Sequence, residues 1–376
     1  MSKRIGVGII GASPERGWAV DAHIPALRSL PEFEIAAIST SRKESAKAAS
    51  EAFGVQLAFD NHRDLLARPE VDIAVVVVKV PHHLELASAA LEAGKPVYCE
   101  WPLGNGLAEA EQLAELARER GVFARVGLQA RASPVINHIR ELLAQGYVGT
   151  VLSSSIVASA NNWGADVLDC YAYLLDRRNG ASMLSIPFGH TLDAFCWLLG
   201  EFSELSATWA TRRPQVKRVE DGRMLQSDVA DQLAVTGVLE SGAVASVHFR
   251  GGLSRGTNFL WEINGTEGDL LIEGDCGHIQ MMPLRMKGAR GGQTRVVDLP
   301  LPASCRWAPA ITPQGMPFNL AQAYLRVAED FRTGSRSAPS FDDAVVRHRM
   351  IDAIERAAES GLRQRYDMRV PRESTK

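Results

Sequence analysis

At 376 residues the chain exceeds what one hydrophobic core usually serves, so two domains are expected. It is 46% hydrophobic and 23% charged with a formal net charge of −3, so there is neither a basic excess for nucleic acid nor an acidic solvating tail. The longest apolar runs, such as Ile73 to Val78, are too short to span a bilayer, and no signal-peptide core precedes the first strand-like segment; a cytoplasmic protein is expected, with no membrane or nucleic-acid partner.

In chain order, Ile5 to Ile10 reads as a β-branched strand stopping at Gly11, followed by a helical stretch from His23 to Leu30 and a strand from Phe33 to Ile38. A helix from Lys43 to Phe53 ends at Gly54, which suits the residue after a helix. Val71 to Val78 is apolar at every position, as a strand buried on both faces should be. A helix from His83 to Ala93, a strand from Pro96 to Cys99 and a helix from Leu107 to Arg120 complete an alternation that predicts a doubly wound parallel sheet. Beyond about residue 150 the pattern changes. Val151–Ala158, Leu205–Thr211, Ala230–Leu239, Ala243–Arg250, Asn258–Asn264 and Asp269–Glu273 read as strands, several joined by short glycine turns, which predicts an α+β domain with a mostly antiparallel sheet. Helices are expected near Gly180–Leu199, Asn319–Arg332 and Asp342–Ser360, and a loop over Lys287–Gln293. The domains are therefore set at 1–128 and 129–376, with the last helices free to pack back on the first. The five cysteines (Cys99, Cys170, Cys196, Cys276, Cys305) lack metal-ligand spacing and read as packing residues, and no metal is expected.

A dinucleotide pyrophosphate needs close backbone approach and free N–H groups at a helix N-terminus, which is why glycines gather after a first strand. The literal G-x-G-x-x-G match at Gly6 to Gly11 lies inside the strand and is set aside. The working turn is read as Gly11-Ala12-Ser13 through Arg16 and Gly17, with Ser13 where a second glycine often sits; an ordinary tight strand-to-helix turn is the alternative. At the end of the second strand, sites for NAD carry an acidic residue for the ribose hydroxyls, whereas sites for NADP replace it with Arg or Lys for the 2′-phosphate. Here Thr40 takes that position and Ser41, Arg42 and Lys43 follow, which points to NADP, with NAD as the second choice. A solvated helix start is the plain reading of Arg42 and Lys43.

Six segments carry a family resemblance: Gly17-Trp-Ala-Val-Asp-Ala-His-Ile-Pro-Ala, Val78-Lys-Val-Pro-His-His, Cys99-Glu-Trp-Pro-Leu, Gly127-Leu-Gln-Ala-Arg-Ala-Ser-Pro, Gly189-His-Thr-Leu-Asp and Asn264-Gly-Thr-Glu-Gly-Asp-Leu. The chain resembles the Gfo/Idh/MocA oxidoreductase family, and within it the branch of the yeast galactose/lactose regulatory repressor. The resemblance implies a Rossmann domain followed by a large antiparallel sheet whose open face makes a homodimer or homotetramer. It also implies cofactor contacts from Trp18, from Val78, Lys79, Val80, Pro81 and His83, and from Glu100, Trp101 and Gln129. Trp18 reads equally as a core filler.

The family's catalysis uses a Glu-Lys-Pro motif and an Asp-x-x-x-His pair. Here Glu100-Trp101-Pro102 puts tryptophan at the lysine position, and Ile186 stands four residues before His190 where the aspartate belongs. Two function classes follow. In one, the protein moves a hydride between NADP and a hydroxyl or carbonyl carbon of a sugar-like substrate. His190 is then the acid/base, an imidazole expected to titrate near neutral pH, and Trp101, Arg131, Trp163, Tyr173 and His190 shape the substrate pocket. Asn161 and Asn162 would add hydrogen bonds there. In the other, the protein is a nucleotide-binding regulator that acts through a protein partner and needs no proton relay. His190 as a satisfied core histidine, and Trp163 as part of a structural turn, are the plain alternatives.

Overall fold

The structure is a computed structural model that describes residues 3–369. Two compact units divide it: one runs to Gln129 and takes in Trp307–Val346, and the other holds Ala130–Arg306 and Arg347–Met368.

In the first unit, β1 (Ile5–Ile10), β2 (Phe33–Ser39), β3 (Leu57–Phe59), β4 (Ile73–Val76), β5 (Val97–Glu100) and β6 (Ala124–Gly127) form a sheet in the order β3-β2-β1-β4-β5-β6. Every neighbouring pair is parallel. Helices α1 (Ile24–Ser29), α2 (Lys43–Phe53), α3 (His62–Leu66), α4 (His83–Glu92) and α5 (Leu107–Arg120) lie between the strands. The strand order reverses between β1 and β4, and ligands of open α/β sheets bind beyond the strand ends at such a point. Gly6 explains why a glycine sits inside β1: a Cβ there would lie 1.9 Å from the Glu70 carbonyl oxygen. The first helical segment starts earlier than its periodicity suggests, because a π-type turn over Ala19–His23 precedes α1.

The second unit holds α6 (Pro134–Ala144), β7 (Val151–Ala160), β8 (Asp166–Val167), α7 (Gly189–Leu199), β9 (Phe202–Ala210), β10 (Gln215–Arg218), β11 (Met224–Gln226), β12 (Gln232–Leu239), β13 (Val244–Gly251), β14 (Phe259–Gly265), β15 (Gly268–Gly274), β16 (Leu284–Arg290) and β17 (Val297–Asp298). Eight of these strands line up as β17-β16-β15-β14-β7-β13-β12-β9, antiparallel throughout except for β13 on β7. Inward residues such as Ile156, Val235, Val247 and Trp261 alternate with half-buried or exposed neighbours, the period-two pattern of a sheet buried on one face. Two features depart from expectation. Lys287–Arg290 belongs to β16, paired residue for residue with Gly268–Leu271, so the loop expected over Lys287–Gln293 begins only after Arg290. A small sheet, β11-β10-β8, has strands too short to show periodicity.

The chain closes with α8 (Met316–Thr333) and α9 (Phe341–Ser360). Leu320, Tyr324 and Val327 of α8 share one core with Ile5, Val7 and Ile9 of β1 and Leu27 of α1, so this late helix completes the first unit. A buried ion pair ties it there, Arg125 Nε to Asp330 at 3.1 Å. Among the described residues no helix is long and apolar enough to cross a membrane.

Candidate functional site

In the first unit the turn after β1 forces glycine at Gly11. Its φ is +103°, and a Cβ there would fall 2.2 Å from the Val77 carbonyl oxygen. The N–H groups of Gly11 and Ala12 both reach the Ser39 carbonyl, at 2.9 and 3.2 Å, and Ser13 N–H turns back to Gly11 O at 3.0 Å. These amides are therefore spent on holding the turn. The N–H groups of Glu15, Arg16 and Gly17 have no backbone acceptor among the described residues. The donors left for an anion thus sit at the far end of the turn, next to the start of the helix, with the exposed Arg16 side chain beside them. Gly17, at φ +110°, meets nothing within 4 Å of where a Cβ would be, so open space lies over it. Trp18 is half-buried and presents its edge to His23; its Nε1 is buried without a hydrogen-bond partner. A cradle that excludes a Cβ at Gly11 and leaves an orphaned indole N–H fits a dinucleotide at the switch point.

At the end of β2, Thr40 Oγ1 donates to the Arg42 carbonyl at 3.0 Å and lies 2.7 Å from Ser45 Oγ, which fixes the entry to α2. Ser41, Arg42 and Lys43 are exposed, and neither cation has an acidic partner among the described residues. Beyond β4, Val78 is half-buried, Lys79 and Pro81 are exposed and Val80 is buried in a single helical turn over Val80–His82. His83 does not face solvent. Its Nδ1 lies 2.7 Å from Pro102 O and its Nε2 3.0 Å from Val78 O, so the ring ties the loop after β4 to the loop after β5. Burial lowers its pKa.

At the end of β5 stands a buried polar cluster that local sequence could not show in full. Both carboxylate oxygens of Glu100 accept from Gln129 Nε2, at 2.7 and 2.9 Å. Gly127 makes room for the pair: a Cβ there would lie 2.6 Å from Glu100 Oε1. His23 Nε2 lies 3.1 Å from the same oxygen, poorly aligned for a hydrogen bond, while its Nδ1 is 2.7 Å from the Tyr324 hydroxyl. Tyr324 stacks on Tyr98 at 5.3 Å, and burial beside Glu100 pushes both phenols well above their ordinary pKa. His23 and Tyr324 are additions to the expected set. The His-Ile-Pro segment was the sequence signal for His23, whereas Tyr324 lies 301 residues away from it. Trp101 is buried at the start of the following loop.

In the second unit His190 lies near the start of α7, buried, with Nδ1 lacking any hydrogen-bond partner. Burial, reinforced by His278, lowers its pKa to about 3. The expectation of an imidazole titrating near neutrality is therefore corrected: the ring is neutral because the charged form would be desolvated. Ile186 falls in the π-type turn ahead of α7 and brings no polar group. Trp163 holds a left-handed backbone at φ +60°, donates from Nε1 to Leu174 O at 3.1 Å and stacks on His278, ring to ring 6.2 Å apart and 10° from parallel. Asn161 is exposed, and Asn162 uses its carbonyl to accept from Gly252 N–H at 2.8 Å. Tyr173 is partly buried and its phenol is pushed up to about 12.

Arg131 is held in an ion pair. Its Nε and Nη2 donate to the two oxygens of the buried Asp193 at 2.8 and 2.7 Å. Asp193 also lies 3.5 Å from Arg347 Nε, and Arg347 donates to Glu201, which accepts from the Tyr366 hydroxyl at 2.6 Å. The guanidinium expected in the substrate pocket thus anchors the helix carrying His190. Cys99, Cys196, Cys276 and Cys305 are buried and Cys170 is partly so; Cys305 lies 3.6 Å from Glu141, which also pairs with His138 at 3.4 Å, a grouping that chain spacing did not reveal.

Residues 5–128 match the family model described as the oxidoreductase family with NAD-binding Rossmann fold, and residues 134–274 match the Gal80p C-terminal domain. The chain is 34% identical to Dehydrogenase aclE of Aspergillus oryzae over 98% of its own length and 100% of that protein. The chain belongs to the Gfo/Idh/MocA oxidoreductase family. Within this family it is 29% identical to the galactose/lactose metabolism regulatory protein of Saccharomyces cerevisiae, over 79% of this chain and 72% of that one. A crystal structure of a super-repressor mutant of that yeast protein superposes with a TM-score of 0.86 at 26% identity, covering 96% and 98% of the two chains. Levoglucosan dehydrogenase, solved with NADH and L-sorbose, shares the Gfo/Idh/MocA fold at a TM-score of 0.81 and 22% identity, covering 97% of this chain and 100% of that one.

Proposed function

We propose that the protein is an NADP(H)-dependent oxidoreductase that moves a hydride to or from the hydroxyl or carbonyl carbon of a sugar-like small molecule. The observation that carries the cofactor half is the end of β2, where Thr40 replaces the acidic residue and Arg42 and Lys43 stand exposed with no acidic partner of their own. The cofactor, when bound, supplies the hydride acceptor or donor at its nicotinamide. Glu15, Arg16 and Gly17 offer N–H groups to the diphosphate, Trp18 offers its indole N–H, and Arg42 and Lys43 hold the 2′-phosphate. The contacts from Val78 to Pro81 and from Trp101 belong to the same reading, with His83 holding their two loops together. Glu100, fixed by Gln129 and flanked by His23, orients polar groups at the end of β5. His190 enters as a neutral imidazole: it accepts a hydrogen bond from the substrate hydroxyl and takes its proton only as the carbon gives up its hydride, because its resting basicity is low. Trp163 and Tyr173 in the second unit and, separately, Trp101 in the first are the substrate-contacting residues of this reading, and a homodimer or homotetramer is part of the same proposal.

A second reading is favoured by a separate observation. Trp101 and Ile186 replace the two polar groups of the family's usual proton relay, and His190 is held at about 3. A nucleotide-binding regulator that acts through a protein partner, without turnover, requires none of the three.

One experiment separates them. The purified protein is titrated with NADPH and NADH by nicotinamide fluorescence, then mixed with levoglucosan, L-sorbose, aldoses and polyols while the 340 nm band is followed. Turnover that His190→Asn abolishes, with NADPH affinity intact, is the expected result. Tight NADPH binding without turnover on any compound favours the regulator, and absence of binding to either nucleotide overturns both.

A further inference from the structure

The loop between β15 and β16 brings a second imidazole, His278, to the neighbourhood of His190. The placement turns on Gly277. Its N–H donates to Ser159 O of β7 at 2.8 Å, and its carbonyl accepts from Thr191 Oγ1 at 3.2 Å, one residue after His190 on α7. A Cβ at this position would lie 2.7 Å from the Phe249 ring, so the loop packs as closely as glycine allows. Three residues one bond or one residue removed from Gly277 each bury a polar atom without a hydrogen-bond partner: Ser159 Oγ, His190 Nδ1 and His278 Nε2. Twelve buried side-chain polar atoms among the described residues lack a hydrogen-bond partner, and the gathering of three of them around this one backbone turn is what points to a polar ligand.

Tautomer logic assigns a direction to His278. Gln280 Nε2 lies 3.4 Å from Nδ1, and with Nδ1 accepting from that amide the ring proton resides on Nε2, buried with no hydrogen-bond partner. The flat face of the ring is fixed by the Trp163 stack, so the donor cannot swing away to find another partner. Its burial keeps the ring neutral, with a pKa of about 4.

We infer that His278 is a ligand for a substrate hydroxyl, the donor half of a two-imidazole site completed by His190 and Ser159, and that the site takes neutral polyhydroxylated molecules and rejects sugar acids and sugar phosphates. The selectivity follows from charge. Both imidazoles are neutral, so neither sets a positive charge against an anion, and the nearby cation Arg131 is neutralised by Asp193. His278 thus brings a polar group to the neighbourhood of His190, where Ile186 supplies none. This inference rests on the substrate reading of the preceding subsection.

The test uses the full chain and two variants. His278→Phe keeps the stacked ring and removes both nitrogens; His278→Gln returns an amide N–H near the place of Nε2. If Nε2 waits for a ligand, the melting temperature of the ligand-free His278→Phe protein rises above wild type, since an uncompensated polar atom has been removed. A fall that Gln280→Leu in the same chain does not reverse, the double variant having no amide left facing the lost Nδ1, means that Nε2 was satisfied within the fold and overturns the assignment. With NADPH saturating, titration with levoglucosan and L-sorbose is expected to show at least a tenfold loss of affinity in His278→Phe, partial recovery in His278→Gln, and NADPH affinity equal to wild type in both. Equal sugar affinity in His278→Phe, or binding of gluconate or glucose 6-phosphate as tight as that of the neutral sugars, overturns the inference while leaving the oxidoreductase reading in place. A wild-type protein that binds NADPH but no sugar overturns the substrate reading, and this inference with it.

Discussion

Arg42 is the residue on which the proposed preference for NADP turns. The residue before it on the strand side, Thr40, is tied to the Arg42 carbonyl and to Ser45, so the backbone around Arg42 is set while its side chain is left in solvent without an acidic partner. A charge-assisted hydrogen bond to a phosphate is worth about 1.5–3 kcal/mol, which converts to roughly 10- to 150-fold in affinity. Arg42→Ala is therefore expected to weaken NADPH by that factor and NADH by less than twofold, read by fluorescence titration. Equal losses for both nucleotides would remove the phosphate-clamp argument. What was legible in the sequence here is the local backbone: Gly11 to Gly17 and Thr40 to Lys43 each follow a strand ending, and their proposed cofactor roles were read from those consecutive residues. Even here the sequence did not show which amides of the turn are free, since the bonds from Gly11 and Ala12 run to Ser39 on another strand.

Elements carry the parts of the site that no local pattern reveals. Helix α7 is placed by Asp193, which receives two donors from Arg131 and has Arg347 Nε at 3.5 Å, and both arginines come from distant segments. The periodicity of α7 was readable, and so was its Gly-His-Thr-Leu-Asp match, but the partner of Asp193 was not, and Arg131 was placed in the substrate pocket on the strength of its motif alone. Similarly, His278 follows no motif: it sits in an irregular loop, and only the three-dimensional tether of Gly277 to Ser159 and Thr191 brings it to α7. Breaking a buried ion pair by removing one partner costs roughly 3–5 kcal/mol, because the other charge is left desolvated. Arg131→Met should lower stability by about that amount in denaturant unfolding, and Arg131→Met with Asp193→Leu should recover part of the loss. A substrate-binding role for Arg131 predicts the opposite pattern: little change in stability and a large rise in KM.

The molecule as a whole carries a signature of these buried rings in its response to acid. His190 is held at about 3 and His278 at about 4, both below the ordinary histidine value, chiefly by burial. His83 is lowered for the same reason. In the unfolded chain each regains an ordinary value near 6.5, so the unfolded state binds more protons than the folded one as pH falls. Their contribution to stability is complete above about pH 6.5 and is lost progressively as the pH drops through that value toward the folded ones. Each group costs about 1.4 kcal/mol per pH unit once the unfolded ring is fully protonated and the folded one is not. Carboxylates held low by their partners, Glu201 and Asp330, add to the loss only nearer their own range, which leaves pH 6 to 5 as the window governed by histidine. Urea unfolding at pH 7, 6 and 5 should therefore show wild type losing stability faster than His278→Phe. The gap between the two should widen with acidification by about 1.4 kcal/mol per unit in the lower part of that window. Parallel pH profiles would mean that His278 protonates in the folded protein as readily as in the unfolded one, and a ring able to do that is neither sealed from water nor kept neutral for a hydroxyl.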